Sequence, residues 1–339
     1  MEYGTRREPD FNNILQVLQG KKPSRPTLFE FFMNMDVYRL VAGDPPSGDD
    51  PVQMIAYLAR AFAACGYDYV TTGGSDLLFP TGDTEYRETK SLNAHACIKN
   101  REDFERYPWP DPDKADYSRL EKVAPYLPGN MKIMASSPDG LLENVIDIVG
   151  YDNLCLMLYD DPELVKDIFD RVGSILLRHY EISASFDTVG ILMINDDWGF
   201  NSQPMLSPAQ MREYAFPWHK KMVEVAHKHG KPAVLHSCGQ LESVMEDIIE
   251  DMKFDGKHSY QDNILPVEDA YRRWGGRIAI LGGLDVDFLV RSEPEEITAR
   301  ARRMLEMAEE KGGYALGSGN SIPSYIPPEH YFAMLRAAF

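Results

Sequence analysis

Short runs of apolar and β-branched residues alternate along the chain with longer segments whose apolar positions recur at helical spacing. Eight such runs stand out: Thr27–Phe31, Tyr69–Thr72, Lys132–Ala135, Gly190–Ile194, Ala233–Leu235, Phe254–Lys257, Ile278–Leu281 and Tyr314–Leu316. Each ends in small or polar residues and most lead into a helical segment, the pattern of parallel βα units. Two of the helices carry explicit start signals. Asp161-Pro162 opens a helix over Pro162–Ser185 with a capping carboxylate and a proline at the first helical position. Ser207-Pro208 opens another over Pro208–His229, which Gly230 and Pro232 stop. Eight units predict an α/β fold closed into a TIM (β/α)8 barrel. The spacing breaks once, between the second and third strands, where the proline-rich run Tyr107-Pro108-Trp109-Pro110-Asp111-Pro112 lies in a long insertion expected over the barrel mouth. No repeat or linker interrupts residues 1–339, which read as a single domain.

Composition narrows the functional classes. With 35 Lys and Arg against 53 Asp and Glu the net charge is −18, and the cations are interspersed with acids, so nucleic acid and anionic membrane are excluded as partners. No apolar run approaches the roughly 18 residues of a membrane span. The opening MEYGTRREPDF has no apolar core of a secretory signal, and Cys65, Cys97, Cys155 and Cys238 lie far apart. Both features predict a cytoplasmic protein without disulfides.

In a parallel barrel the strand C-termini and the loops after them form the active face. The polar residues there include Glu30, Asp76, Asp196, Asp197, Trp198, His236, Cys238, His258, Asp285 and Asn320. His236-Ser237-Cys238 is the sharpest motif, because side chains two apart in a strand face the same way and bring imidazole and thiol together. The pair reads either as zinc ligands, with one coordination position open for chemistry, or as a buried thiol beside a hydrogen-bonded histidine. A third ligand has to be a carboxylate or histidine, such as Glu30, Asp196, Asp285 or His258, since the other cysteines fall in predicted helix or insertion. Asn195-Asp196-Asp197-Trp198-Gly199 offers two carboxylates for a metal, a substrate or general-base work, against the alternative that one of them caps the next turn. Asp76 is either a hydrogen-bond acceptor for a substrate N–H or a cap. Glu30, in an apolar strand, is either a proton donor or a solvated mouth residue. The turns Gly282-Gly283-Leu284-Asp285 and Gly317-Ser318-Gly319-Asn320 fit phosphate binding or simple tight turns.

His-Ser-Cys-Gly at the fifth strand, Asp-Asp-Trp-Gly before it, the Ser-Pro-x-x-Met-Arg-Glu-Tyr helix from Ser207 to Tyr214 and the Gly-Ser-Gly-Asn segment together resemble the uroporphyrinogen decarboxylase superfamily over nearly the whole chain. The resemblance implies one of two activities, cofactor-free decarboxylation of uroporphyrinogen or zinc-dependent methyl transfer between a corrinoid protein and a small acceptor. The decarboxylases carry an arginine-rich stretch after the first strand. Here that stretch reads Phe31-Phe32-Met33-Asn34-Met35-Asp36-Val37-Tyr38-Arg39 and retains only Arg39. Several anionic groups cannot be desolvated against a single cation. Asp76 matches the decarboxylases' catalytic aspartate and keeps that activity as the alternative. In the methyltransferases a His-x-Cys pair and a later cysteine hold zinc. His236 and Cys238 match the pair, and Asn320 stands where the second cysteine is expected. The resemblance therefore implies zinc on His236 and Cys238, with Asp196 or Asp197 completing the coordination or taking a proton. It places Glu30, Trp198, His258, Asp285 and Asn320 around a small-molecule substrate, and a corrinoid protein as partner.

Overall fold

The computed structural model of the protein describes residues 7–82, 92–93 and 96–339. Seven parallel strands form one curled sheet in chain order: β1 (Tyr69–Gly73), β2 (Lys132–Ser136), β3 (Val189–Asn195), β4 (Ala233–His236), β5 (Gly256–His258), β6 (Ala279–Leu281) and β7 (Tyr314–Ala315). Helices cover the outside, so the central strands are buried on both faces and read as continuous apolar runs such as Val-Gly-Ile-Leu-Met-Ile in β3.

The first predicted strand, Thr27–Phe31, forms isolated bridges instead of a ladder. Leu28 pairs with Leu316, and Phe29 N–H donates to the Leu316 carbonyl at 2.8 Å. On the other side the Tyr69 hydroxyl of β1 accepts the Glu30 N–H and donates to the Glu30 carbonyl, both at 2.7 Å. A tyrosine side chain thus takes the two backbone groups that a ladder to β1 would have used. The segment fills the eighth position and the whole is a TIM-like α/β barrel.

Five helices matter for the site: α1 (Pro51–Cys65), α2 (Leu141–Val149), α3 (Pro162–Ala184), α4 (Phe216–Lys228) and α5 (Val286–Arg291). The start of α3 is as its sequence predicts, with the Asp161 carboxylate accepting from Leu164 N–H at 3.0 Å. The helix predicted over Pro208–His229 runs without interruption from Pro208 through α4 to Lys228, but it widens into a π turn over Met211–Ala215. Pro217 explains the widening, since it has no N–H to give and its ring collides with a regular preceding turn.

The described part of the insertion between β1 and β2 packs down the flank of α3 in chain order. Arg101 pairs with Asp167, Trp109 lies 5.8 Å from the Arg171 guanidinium, and Asp113 accepts from Arg178 at 2.7 Å. These contacts hold it beside α3, whereas residues 83–91 and 94–95 of the expected mouth cover lie outside the described residues. Among the described residues no helix is long and apolar enough to cross a membrane.

Candidate metal centre

The site is built where β3, β4 and β5 end side by side. Asn195 pairs with His236 and His236 with His258, so the residues after these positions meet at one level. Gly239 then lets the loops touch. Its backbone is left-handed at φ +92°, and a Cβ there would sit 2.2 Å from the Gly199 backbone, so the β3 and β4 loops pack main chain to main chain. That contact brings Asp197 onto the β4 loop, where its Oδ1 accepts the Cys238 N–H at 2.8 Å. His236 Nε2 lies 3.8 Å from Asp197 Oδ1 and 3.8 Å from Cys238 Sγ. One nitrogen, one sulfur and one oxygen thus converge within 4.8 Å of one another, the only such group of ligand atoms among the described residues.

Hydrogen-bond direction fixes the tautomers. The Ser318 carbonyl can only accept, so the His258 Nε2 that lies 3.1 Å from it carries the proton. Burial pushes His258 well below the usual histidine range, and His236 behind it adds to the shift, so the ring is neutral and its Nδ1 is a bare lone pair. That Nδ1 is 2.8 Å from His236 Nδ1, which must therefore donate. Burial likewise pushes His236 down to about 4, against the attraction of Asp197. The Nε2 of His236 is left as a lone pair aimed at Cys238 and Asp197, the state a metal ligand requires.

A bare imidazole nitrogen, a thiol and a carboxylate face one another, a set that a cation can gather once the thiol gives up its proton. Burial first, then Asp197, push the Cys238 thiol up to about 12, so in the metal-free site it keeps that proton. Tetrahedral zinc spaces nitrogen, oxygen and sulfur donors roughly 3.3–3.6 Å apart, and both measured distances of 3.8 Å need only a slight contraction. The donors fit zinc. A nucleophilic-cysteine triad fits less well, because it needs a depressed thiol and an acid on the far nitrogen of the histidine. Here the thiol is raised, and His258 occupies that nitrogen.

The sulfur also accepts two donors, Ser259 Oγ and Asn320 Nδ2, each at 3.5 Å. Below it Lys257 is fully buried, its ammonium donating to the Ser259 carbonyl at 2.7 Å and burial lowering it to about 8.

The uroporphyrinogen decarboxylase (URO-D) profile matches residues 91–338. The chain belongs to the uroporphyrinogen decarboxylase family. Proteins named uroporphyrinogen decarboxylase from Pseudomonas fluorescens and Alkalilimnicola ehrlichii are 26% and 27% identical over 78% and 71% of this chain, covering 73% and 66% of their own lengths. A methyltransferase from Methanosarcina mazei superposes with a TM-score of 0.73 over 98% of both chains at 16% identity, a likeness of fold.

Within this uroporphyrinogen decarboxylase-family barrel the predicted site residues separate. His236, Cys238, Asp197, His258 and Asn320 are brought together. Asp196 is turned the other way and fully buried. Its carboxylate accepts from Leu142 and Glu143 N–H at the start of α2 at 3.0 and 3.1 Å and from Trp198 Nε1 at 2.8 Å, and His219 Nε2 lies 3.0 Å away. Trp198, buried against Phe216 and His219, has no face open to a substrate. Asp285 caps α5 through Phe288 N–H and accepts Asp262 N–H, which occupies both of its oxygens. Asp76 is exposed and accepts Asp116 N–H at 2.7 Å, tying down the insertion. Glu30 is fully buried and bonded to Ser318, not solvated at the mouth.

Two contributions were not singled out from the sequence. Ser259 and Lys257 are one: their signal is a lysine inside a buried three-residue strand. Glu143 is the other. Burial and then Asp196 and Asp197 hold its carboxyl well above the usual range. A Glu three residues after Gly140 reads as an ordinary helix cap.

Proposed function

We propose that this barrel is a zinc-dependent methyltransferase that moves a methyl group between a corrinoid carried on a partner protein and a small acceptor, with His236, Cys238 and Asp197 holding the metal. The observation that supports this reading is the bare Nε2 of His236, which converges with the Cys238 sulfur and an Asp197 carboxylate oxygen, each 3.8 Å away. Bound zinc supplies Lewis acidity that lowers the pKa of an acceptor in the open position. The chain's own residues do the rest. Ser259 and Asn320 hydrogen-bond the sulfur, and Asp197 stays oriented by the Cys238 amide.

Charge supports an anionic acceptor. A neutral imidazole, a thiolate and a carboxylate balance a dication, and Lys257, close enough to feel both Cys238 and Asp197, can offset the further negative charge. One carboxylate in place of a second thiolate makes the metal harder, which favours an oxygen acceptor over a thiol. A cleft of about 820 Å³ next to Asn320, lined by Asp262, Asp285, Phe288, Arg291 and Tyr325, gives that acceptor room.

Decarboxylation of uroporphyrinogen is the competing reading. Two features oppose it: Arg39, the one cation of the segment after the first strand, is half exposed and paired with Asp36, and Asp76 is occupied by the insertion. The test offers zinc-loaded protein methylcobalamin with a panel of alcohols, phenols and thiols, and uroporphyrinogen in a parallel reaction. Loss of the methyl–cobalt absorbance with a hydroxyl acceptor is expected. Release of carbon dioxide from uroporphyrinogen, with no methyl transfer, overturns the proposal.

A further inference from the structure

One fully buried acid on the far side of the barrel has no part in that reading. Glu30 lies in the first-strand segment with none of its surface exposed. Its backbone is held at both polar groups by Tyr69. Its carboxyl meets Ser318 twice: Ser318 N–H donates to Oε2 at 3.2 Å and the Ser318 hydroxyl lies 2.7 Å from Oε1. Burying a carboxyl is costly unless hydrogen bonds replace those it made to water. Burial pushes Glu30 up to about 8, opposed only by these hydrogen bonds and one from Phe31. At neutral pH it is therefore a neutral acid, with one O–H to give and one oxygen to receive.

Ser318 is the hinge of this arrangement. Its carbonyl accepts both His258 Nε2–H at 3.1 Å and Gly283 N–H at 2.7 Å, while two residues on Asn320 Nδ2 reaches Cys238 Sγ at 3.5 Å. If the Ser318 peptide turns, His258 loses the acceptor that keeps its proton on Nε2. His258 can then present Nδ1–H to His236, and the His236 proton moves to Nε2, the atom that must stay bare.

We infer that Glu30 is a positioning residue for the metal centre: by clamping Ser318 it sets the tautomer of His258, and through it the free Nε2 of His236. The inference rests on the metal reading for its purpose, but the tautomer chain exists without metal. Its links are the Glu30 carboxyl, Ser318, His258 and His236, none of which lies next to another in sequence. Nothing in Glu30 touches the cleft, so its role is exerted through the turn and not on a substrate.

The experiment compares wild type, Glu30→Leu, Glu30→Gln and Ser318→Ala. The side-chain nitrogens of His236 and His258 are read by nitrogen-15 NMR in the zinc-free protein, and the zinc dissociation constant by competition with a chromophoric chelator. The wild type is expected to show Nε2–H on His258 and Nδ1–H on His236. Glu30→Leu should mix the tautomers of both rings and raise the zinc dissociation constant about tenfold, the low end for outer partners of metal ligands. Glu30→Gln reproduces one donor and one acceptor, and should restore both readouts. Ser318→Ala deletes the Oε1 contact alone and should move both in the direction of Glu30→Leu, which keeps the test available if Glu30→Leu does not fold. Folded Glu30→Leu with wild-type tautomers, or Glu30→Gln as damaging as Glu30→Leu, overturns the inference. If the wild type binds no zinc, the metal reading fails, and the tautomer measurement still decides the role of Glu30.

Discussion

Two adjacent aspartates offer a sharp contrast. Replacing Asp196 by Asn keeps the size of the side chain but puts an NH2 where only an acceptor fits. The carboxylate faces two α2 amides and the indole N–H of Trp198, with His219 3.0 Å away, all in the interior. One amide oxygen can serve part of this set, and the new donors then confront other donors. Each charge-assisted bond is worth about 1.5–3 kcal/mol and an orphaned buried group about 1–3 kcal/mol. Because single-site losses above about 5 kcal/mol are exceptional, we expect about 3–5 kcal/mol. With an unfolding entropy of about 2.1 cal/mol/K per residue and 339 residues, that lowers Tm by roughly 4–7 °C. Asp197→Asn is different. The Asp197 side chain is 35% exposed, and its one strong bond, from Cys238 N–H, can be kept by an amide oxygen. Its expected cost is within about 1 kcal/mol, while zinc loses an anionic ligand. Thermal unfolding of the zinc-free variants, followed by zinc titration of each, separates the two. Equal Tm losses would refute the reasoning, as would Asp196→Asn that unfolds like wild type yet no longer binds zinc.

Glu30 should leave a signature in pH. Its pKa in the folded protein, about 8, lies above the usual 4.5. Its contribution is therefore complete below pH 4.5 and is lost as pH rises toward 8, at about 1.4 kcal/mol per unit. Glu30→Gln lacks this loss, so its Tm should gain on wild type steadily from pH 5 to pH 8, and parallel curves contradict the assignment. Gly239→Ala forces a Cβ to within 2.2 Å of Gly199 at a left-handed φ; a Tm drop equivalent to about 2–4 kcal/mol and weaker zinc binding are expected, and a wild-type Tm contradicts the loop contact. Asn320→Cys sets a thiol where an amide now lies 3.5 Å from Cys238 Sγ. It should tighten zinc binding at least tenfold, whereas an unchanged dissociation constant argues that this position does not face the metal.

The barrel was legible because parallel strands buried on both faces leave unmistakable apolar runs at regular spacing, and β3 through β7 lie within a few residues of their predicted positions. The first-strand segment was legible in the same way, but not its seam to β1, which is a tyrosine hydroxyl, and periodicity carries no trace of such a partner. The π turn before α4 was readable in principle from Pro217. His236 and Cys238 could be paired from the two-residue period of a strand. Choosing Asp197 over Asp196 could not be done in that way, because both follow the strand end and only the backbone contact between Gly199 and Gly239 decides which carboxylate faces the thiol. Glu30 stood out correctly as an odd residue in an apolar strand. Its partner Ser318 lies 288 positions away, and only the closed barrel brings them together.

Metal content decides whether His236, Cys238 and Asp197 hold zinc. Protein purified without chelator, and its Cys238→Ala and His236→Ala variants, can be compared by elemental analysis after dialysis against zinc. About one zinc per wild-type chain is expected, and its loss from both variants, with their folds intact by circular dichroism. A wild-type chain that retains no zinc, or variants that retain as much as wild type, contradicts it.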